Sequence, residues 1–146
     1  MKLGVILLFL INKMKKDGPL LVIDDDSDDR EFFNEVLASL IPNEIVQFSD
    51  STKVVDYLLE SDCHPFLIIS DISMPKMNGF ELRDAMLKEE KIVEKNIPFL
   101  YFTSAWTEYT SAEAFKRPIN GFFHKPSSID ALKDTLGDVI DYWKNK

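Results

Sequence analysis

The sequence has 146 residues, which is the size of one ordinary domain and leaves little chain for a second. Its 17 basic and 25 acidic residues give a net charge of −8. That balance disfavours direct binding to nucleic acid or anionic lipid, because both require clustered Lys and Arg. The single cysteine, Cys63, excludes an internal disulfide, and with only two histidines a Cys/His zinc site is implausible. This cysteine content fits a reducing cytoplasm.

The N-terminus is treated as a tail over residues 1–17, ahead of a single domain over residues 18–146. Leu3–Ile11 is an apolar run that is shorter than the ~20 residues a membrane-spanning helix needs. No small-residue cleavage site follows it. Met14 begins a polar lead-in to the first strand, so we interpret Met1–Lys13 as an over-extended start or a non-essential tail. A weak membrane or partner anchor is the alternative.

From Pro19 onward, short apolar runs alternate with segments whose apolar residues repeat at helical spacing. The apolar runs predict strands at Leu20–Ile23, Ile45–Phe48, Phe66–Ile69, Ile97–Phe102 and Phe122–Phe123. The helical segments are predicted to begin near Ser27 or Asp28, Ser51, Asn78 or Gly79, Thr107, and Ser127 or Ser128. This alternation indicates one α/β domain, a parallel sheet with helices on both faces.

Polar residues follow four of the predicted strands at their carboxyl ends. They are Asp24-Asp25-Asp26, Ser70-Asp71, Thr103-Ser104 and His124-Lys125-Pro126. Ligands of open parallel sheets bind at this edge, so we expect these side chains to form one site. Converging carboxylates repel one another unless a cation joins them, and Mg²⁺ prefers such oxygen ligands. A lysine and a hydroxyl beside that ion suit phosphoryl oxygens, so the pattern indicates phosphoryl transfer to an aspartate.

The chain resembles the receiver domain of bacterial two-component response regulators, in particular the stand-alone chemotaxis receiver. The matching stretches are LLVIDDDS (20–27), IISDISMPKMNG (68–79), FLYFTS (99–104) and NGFFHKP (120–126). The resemblance covers about residues 19–145. It implies a single doubly wound (βα)5, flavodoxin-like, five-stranded parallel sheet with strand order 2-1-3-4-5.

The resemblance also implies a role for each site residue. Asp71 would be the phosphoacceptor, and Lys125 and Thr103 would contact the phosphoryl oxygens. Phe122 would be the aromatic switch residue that turns inward as Thr103 moves. The family often has a cis peptide before the proline at position 126. The implied Mg²⁺ ligands are Asp24, Asp25, Asp71 and the backbone carbonyl of Ser73.

By this resemblance the protein is a single-domain response regulator of a phosphorelay. A sensor histidine kinase or a phosphotransfer protein would supply the phosphoryl group. The face formed by the fourth helix, the fifth strand and the fifth helix would then signal to an unknown downstream protein. The protein would catalyse only its own phosphorylation and dephosphorylation, so it is not expected to be an enzyme in the usual sense. A cytoplasmic location without a membrane span is expected, and homodimerisation stays open.

Three alternatives remain from the residues. The chain could be a phosphorylation-independent interaction scaffold with a receiver-like fold. It could instead be a Mg²⁺-dependent phosphatase with an aspartate nucleophile, but that chemistry needs a second acid where Ser73 stands. The acidic stretch after the first strand also partly fits a calcium-binding loop, although Asp29 occupies the position that requires glycine.

Overall fold

Five parallel strands form one sheet in the computed structural model, which describes residues 16–60 and 62–146. The strands are β1 (Leu20–Ile23), β2 (Ile45–Phe48), β3 (Leu67–Ser70), β4 (Phe99–Thr103) and β5 (Gly121–His124). Their order is β2-β1-β3-β4-β5, which confirms the predicted fold class and strand order. The predicted tail Met1–Lys13 lies outside the described residues. The side chain of Asn43 donates hydrogen bonds to the carbonyls of Lys16 and Gly18, which lie just before β1.

The helices lie between the strands and after the last one. They are α1 (Ser27–Leu40), α2 (Val54–Leu59), α3 (Gly79–Leu87), α4 (Glu108–Ala114) and α5 (Ile129–Lys144). A 3₁₀ turn, Ser51–Lys53, precedes α2, and one further helical turn, Glu90–Val93, follows α3. The apolar pattern did not predict this last turn, because four residues are too few to show a helical period.

The helix α1 begins at Ser27, but its cap lies one residue before the predicted candidates. Asp26 caps α1 by accepting hydrogen bonds from the backbone N–H groups of Asp28 at 2.9 Å and Asp29 at 3.1 Å. The interpretation of Ser27 or Asp28 as the cap was wrong because Asp and Ser are almost equally good caps, so a run of them leaves the position open. The 3₁₀ turn before α2 begins at Ser51, as predicted, and Asp50 caps it.

The two faces of the sheet form separate cores. One core packs β1 and β3 against α1 and α5, and the other packs the opposite strand faces against α2, α3 and α4. β1, β3 and β4 are buried along their whole length, which explains why they read as continuous apolar runs. Phe32 shares the helical spacing of the apolar residues of α1 but is 46% exposed, because Phe33 takes the core position.

This layering brings the carboxyl ends of all the strands to one edge of the sheet. The loops that follow β1, β3, β4 and β5 therefore meet there, and they carry the predicted site residues. Within the described part of the chain, no helix is long and apolar enough to cross a membrane.

Candidate functional site

Three carboxylates converge where β1 and β3 end side by side. Asp24, Asp25 and Asp71 each offer an oxygen, and these oxygens all lie within 4.8 Å of one another. Asp24 is 2% exposed and Asp71 is 8% exposed, whereas Asp25 is open to solvent. The backbone N–H of Asp71 donates to the carbonyl of Ile23 at 2.8 Å. This sheet hydrogen bond holds the end of β3 in register with β1.

Lys125, which follows β5, is the cation of this cluster. Its Nζ lies 2.7 Å from Asp24 Oδ2 and 3.2 Å from Asp71 Oδ2. It also lies 2.8 Å from Oδ2 of Asp29, a residue that was not predicted to belong to the site. The available signal was that Asp29 stands in the first turn of α1, directly after the acidic loop. One lysine therefore bridges carboxylates from β1, β3 and α1.

Backbone donors orient the two buried carboxylates. Asp24 Oδ1 accepts a hydrogen bond from the backbone N–H of Asp26 at 3.0 Å, and Asp71 Oδ1 accepts one from Ile72 at 2.7 Å. The Oδ2 atoms of both carboxylates therefore remain for Lys125. This arrangement presents one oxygen of each buried aspartate to the interior of the site.

Burial perturbs the protonation of this cluster. Desolvation raises the pKa of Asp24 from 3.8 to about 6, against the opposing effect of its hydrogen bond with Lys125. Desolvation also raises the pKa of Asp71. Burial lowers the pKa of Lys125, but the hydrogen bonds to Asp24 and Asp29 outweigh it and leave the pKa above its usual value. Lys125 therefore does not fully offset the unfavourable desolvation of the two charged carboxylates, and a further cation would stabilise their charged forms.

The donor set fits a hard divalent cation. All the converging ligand atoms are carboxylate oxygens, the type that Mg²⁺ and Mn²⁺ prefer, and the exposed Asp25 keeps a solvent path to the cluster. Ser73 lies in the exposed loop two residues after Asp71. The proposed ligand role of its carbonyl stays a prediction.

We expect the free energy of unfolding of the metal-free protein to depend on pH because the pKa of Asp24 is raised. A carboxylate whose pKa is higher in the folded state stabilises the fold below pH 3.8, and this contribution is lost as the pH rises through about 6. The free energy of unfolding of Asp24→Asn, relative to wild type, should therefore increase from pH 4 to pH 6.5. Urea denaturation in EDTA measures this difference.

Asp56→Asn is the matched control, because Asp56 is an exposed carboxylate on α2. It shows how the loss of a solvent-exposed carboxylate changes the stability over the same pH range. A difference for Asp24→Asn that changes no more than that of Asp56→Asn would show that burial does not raise the pKa of Asp24.

Thr103 lies at the same edge, at the end of β4. It is 1% exposed, and its Oγ1 accepts a hydrogen bond from the backbone N–H of Ala105 at 3.1 Å. Its carbonyl accepts the backbone N–H of Lys125 at 2.8 Å, which places the two residues on adjacent strand ends. The hydroxyl of Thr103 thus contacts its own loop.

Phe122, the predicted switch residue, is half-buried on β5. Its ring lies 6.2 Å, centroid to centroid, from the ring of Phe115, which is exposed at the end of α4. Trp106 and Tyr109, at the start of α4, are exposed as well. The segment around α4 and β5 therefore presents several aromatic side chains to solvent.

Two further features concern the loops of the site. Tyr101 on β4 donates a hydrogen bond from its hydroxyl to the carbonyl of Gly79 at 2.7 Å, which ties β4 to the start of α3. Tyr101 was not among the predicted site residues. The peptide bond before Pro126 is trans, as are all peptide bonds among the described residues, so the cis form suggested by the resemblance is wrong here.

The chain matches the family model of the response regulator receiver domain over residues 20–137, a range that contains all the predicted site residues. The chemotaxis protein CheY homolog of Campylobacter jejuni subsp. jejuni serotype O:23/36 (strain 81-176) is 28% identical over 121 residues, which cover 83% of this chain and 91% of that protein. The chemotaxis protein CheY of Pseudomonas aeruginosa is 27% identical over 122 residues, which cover 84% and 95% of the two chains.

Solved structures share the fold. The phosphorylated cyanobacterial phytochrome response regulator RcpA matches with a TM-score of 0.76 at 21% identity, over 86% of this chain and 93% of that chain. The Mn²⁺-bound form of response regulator Rcp1 matches with a TM-score of 0.74 at 21% identity, over 86% and 94%. At such identities the likeness establishes the fold alone, a flavodoxin-like doubly wound sheet.

Proposed function

Because the chain belongs to the response regulator receiver domain family, we propose that it accepts a phosphoryl group on Asp71 in the presence of Mg²⁺. The donor would be the phosphohistidine of a sensor kinase or of a phosphotransfer protein. The observation that carries this proposal is the cluster of Asp24, Asp25 and Asp71, which Lys125 bridges at the carboxyl edge of the sheet. The family is a signalling domain, so the phosphorylated state, rather than a released product, would be the output.

In the proposed reaction Asp71 Oδ2 forms a bond to phosphorus while the phosphorus–nitrogen bond of the donor breaks. The backbone N–H of Ile72 holds Oδ1 at 2.7 Å and so orients the nucleophile. The ammonium of Lys125, now 3.2 Å from Asp71, would exchange that contact for a phosphoryl oxygen and neutralise its charge. Asp24, Asp25, Asp71 and the carbonyl of Ser73 would hold Mg²⁺, which when bound neutralises charge on the transferring group.

The same step would change the position of Thr103. Its hydroxyl now accepts from Ala105, and a phosphoryl group on Asp71 would offer it an acceptor in the site instead. Only the phosphorylated state makes this contact, so the contact would shift the balance between two conformations. Phe122, half-buried on the neighbouring strand, would turn inward into the space that Thr103 leaves.

A phosphorylation-dependent surface would then form from α4, β5 and α5. The exposed aromatic residues Trp106, Tyr109 and Phe115 suit contact with a downstream protein. We propose residues 18–146 as the receiver domain, acting in the cytoplasm on a protein target rather than on nucleic acid.

Trp106 offers a direct readout of this change. It is 52% exposed and lies three residues after Thr103, so movement of that loop should alter its fluorescence. We expect acetyl phosphate with Mg²⁺ to change the tryptophan emission of the wild-type protein, and Thr103→Ala to lose most of the change. Trp143→Phe should keep it, because Trp143 lies at the far end of α5. An unchanged signal in Thr103→Ala would contradict the proposed switch.

Intact mass spectrometry tests the proposed function itself. After incubation with acetyl phosphate, we expect one added phosphoryl group when Mg²⁺ is present and none when EDTA removes it. The same adduct should form from a phosphorylated histidine donor. An adduct that forms equally well in EDTA would contradict the proposed role of the carboxylate cluster in binding Mg²⁺.

A further inference from the structure

A cavity lies near the amino-terminal ends of β4 and β5, whereas the carboxylate cluster lies at the carboxyl ends of the strands. It is bounded by α3, by the helical turn Glu90–Val93 and by the segments that lead into β4 and β5, and its volume is about 240 Å³. Its apolar walls include Met86, Ile92, Ile97 and Ile119. None of the residues assigned to phosphoryl transfer lines it. A ligand could therefore bind in this cavity whether or not the proposed function is correct.

Arg83 on α3 lines this cavity without a carboxylate partner. Its Nε donates to the carbonyl of Pro118 at 2.9 Å, and its guanidinium carbon lies 4.9 Å from the centroid of the Phe99 ring. No Asp or Glu oxygen among the described residues lies within ion-pair distance of it, whereas Arg117 nearby pairs with Asp84 at 2.7 Å. Desolvation lowers the pKa of Arg83, as expected for a half-buried cation whose charge is not balanced.

Asn120 supplies a second donor on the same cavity. Its Oδ1 accepts a hydrogen bond from the backbone N–H of Phe99 at 2.9 Å, and this contact fixes the orientation of the amide. The Nδ2 group has no acceptor among the described residues. Among the residues that the structure describes, no aspartate or glutamate lines the cavity. The polar side chains that line the cavity are thus Arg83, Asn120 and the exposed Asn96, and Arg83 carries the only charge among the described lining residues.

We propose that this cavity binds a small monocarboxylate. The carboxylate would accept hydrogen bonds from the Arg83 guanidinium and Asn120 Nδ2, and the aliphatic part would lie against Met86 and the isoleucines. Arginine and carboxylate form strong charge-assisted pairs, and such a pair would supply the missing countercharge. The volume of the cavity lies below the ~300 Å³ at which pockets for drug-sized ligands begin, so a small acid suits it. A single cation between apolar walls also suits a monoanion better than a phosphate dianion.

Methyl and amide NMR of the full chain tests this, with isobutyrate as the probe and isobutyramide as its neutral counterpart. We expect saturable shifts with isobutyrate at the methyl groups of Ile92, Ile97 and Ile119 and at the Asn120 amide. Isobutyramide should bind at least about tenfold more weakly, because it carries no charge for Arg83 to pair with. Shifts that do not saturate, or equal binding of the two probes, would overturn the proposal.

Two variants locate the binding on the proposed groups. Arg83→Gln should weaken isobutyrate binding at least about tenfold. Asn120→Asp keeps an oxygen acceptor for the Phe99 N–H but replaces the amide donor with a negative charge, and it should weaken binding as well. Lys88→Gln, which removes an exposed cation outside the cavity, should bind as the wild type does. Phosphorylation by acetyl phosphate should be unchanged in all three, which confirms that they fold. Wild-type affinity in both Arg83→Gln and Asn120→Asp would overturn the assignment.

Discussion

Asp71→Asn should abolish the gain of one phosphoryl group that we expect the wild-type protein to show with acetyl phosphate and Mg²⁺. The substitution replaces the nucleophilic oxygen with an amide of nearly the same size, which cannot form the acyl phosphate. Asn can still accept the Ile72 N–H that orients Asp71 Oδ1, so the backbone around the site should be preserved. Intact mass spectrometry measures the result directly.

Asp28→Asn is the matched control for this experiment. Asp28 is an exposed carboxylate in the first turn of α1 and does not belong to the converging cluster, so its removal should leave the adduct intact. An adduct of the same size on Asp71→Asn would place the acceptor elsewhere and overturn our site assignment. If the wild-type protein binds Mg²⁺ but gains no adduct from any phosphodonor, the phosphorylation-independent scaffold becomes the better interpretation.

Gly79→Ala should destabilise the protein strongly. A Cβ at Gly79 would overlap the backbone carbonyl oxygen of Asp71 and would lie 2.9 Å from the Cα of Ile72. Backbone atoms cannot rotate away as the end of a side chain can, and the Gly79 N–H is already bonded to the Ile72 carbonyl at 2.8 Å. We expect a loss of about 3 kcal/mol or more in the free energy of unfolding, measured by urea denaturation. Phosphorylation should fall as well, because the displaced backbone carries Asp71.

Gly137→Ala provides the contrasting case in the same chain. Gly137 lies inside α5, and a Cβ there would meet nothing within 4 Å. Alanine should therefore stabilise the protein by roughly 0.5–1 kcal/mol, because glycine loses more backbone entropy in a helix. If Gly79→Ala proved as well tolerated as Gly137→Ala, the close packing of α3 against the Asp71 strand end would be wrong.

The alternation of strands and helices could be predicted from the sequence because it depends on short-range patterns. Leu20–Ile23 and Ile45–Phe48 were predicted with the bounds that the structure has, since each is a short apolar run between polar segments. Helix caps such as Asp26 could be predicted less closely from the sequence, because several neighbouring residues can cap equally well. The helical turn Glu90–Val93 is too short to leave a period in the sequence.

The sequence by itself also determined which side chains follow the carboxyl ends of the strands, and thereby that Asp24, Asp25, Asp71 and Lys125 would share one edge. Only the tertiary structure decided how they pair. The contact of Lys125 with Asp29 joins residues that are far apart in the chain. That Arg83 has no carboxylate partner among the described residues became visible only once its surroundings were known. The physical reason is that periodicity reports the local backbone, whereas ion pairing and burial depend on elements that meet only after the chain has folded.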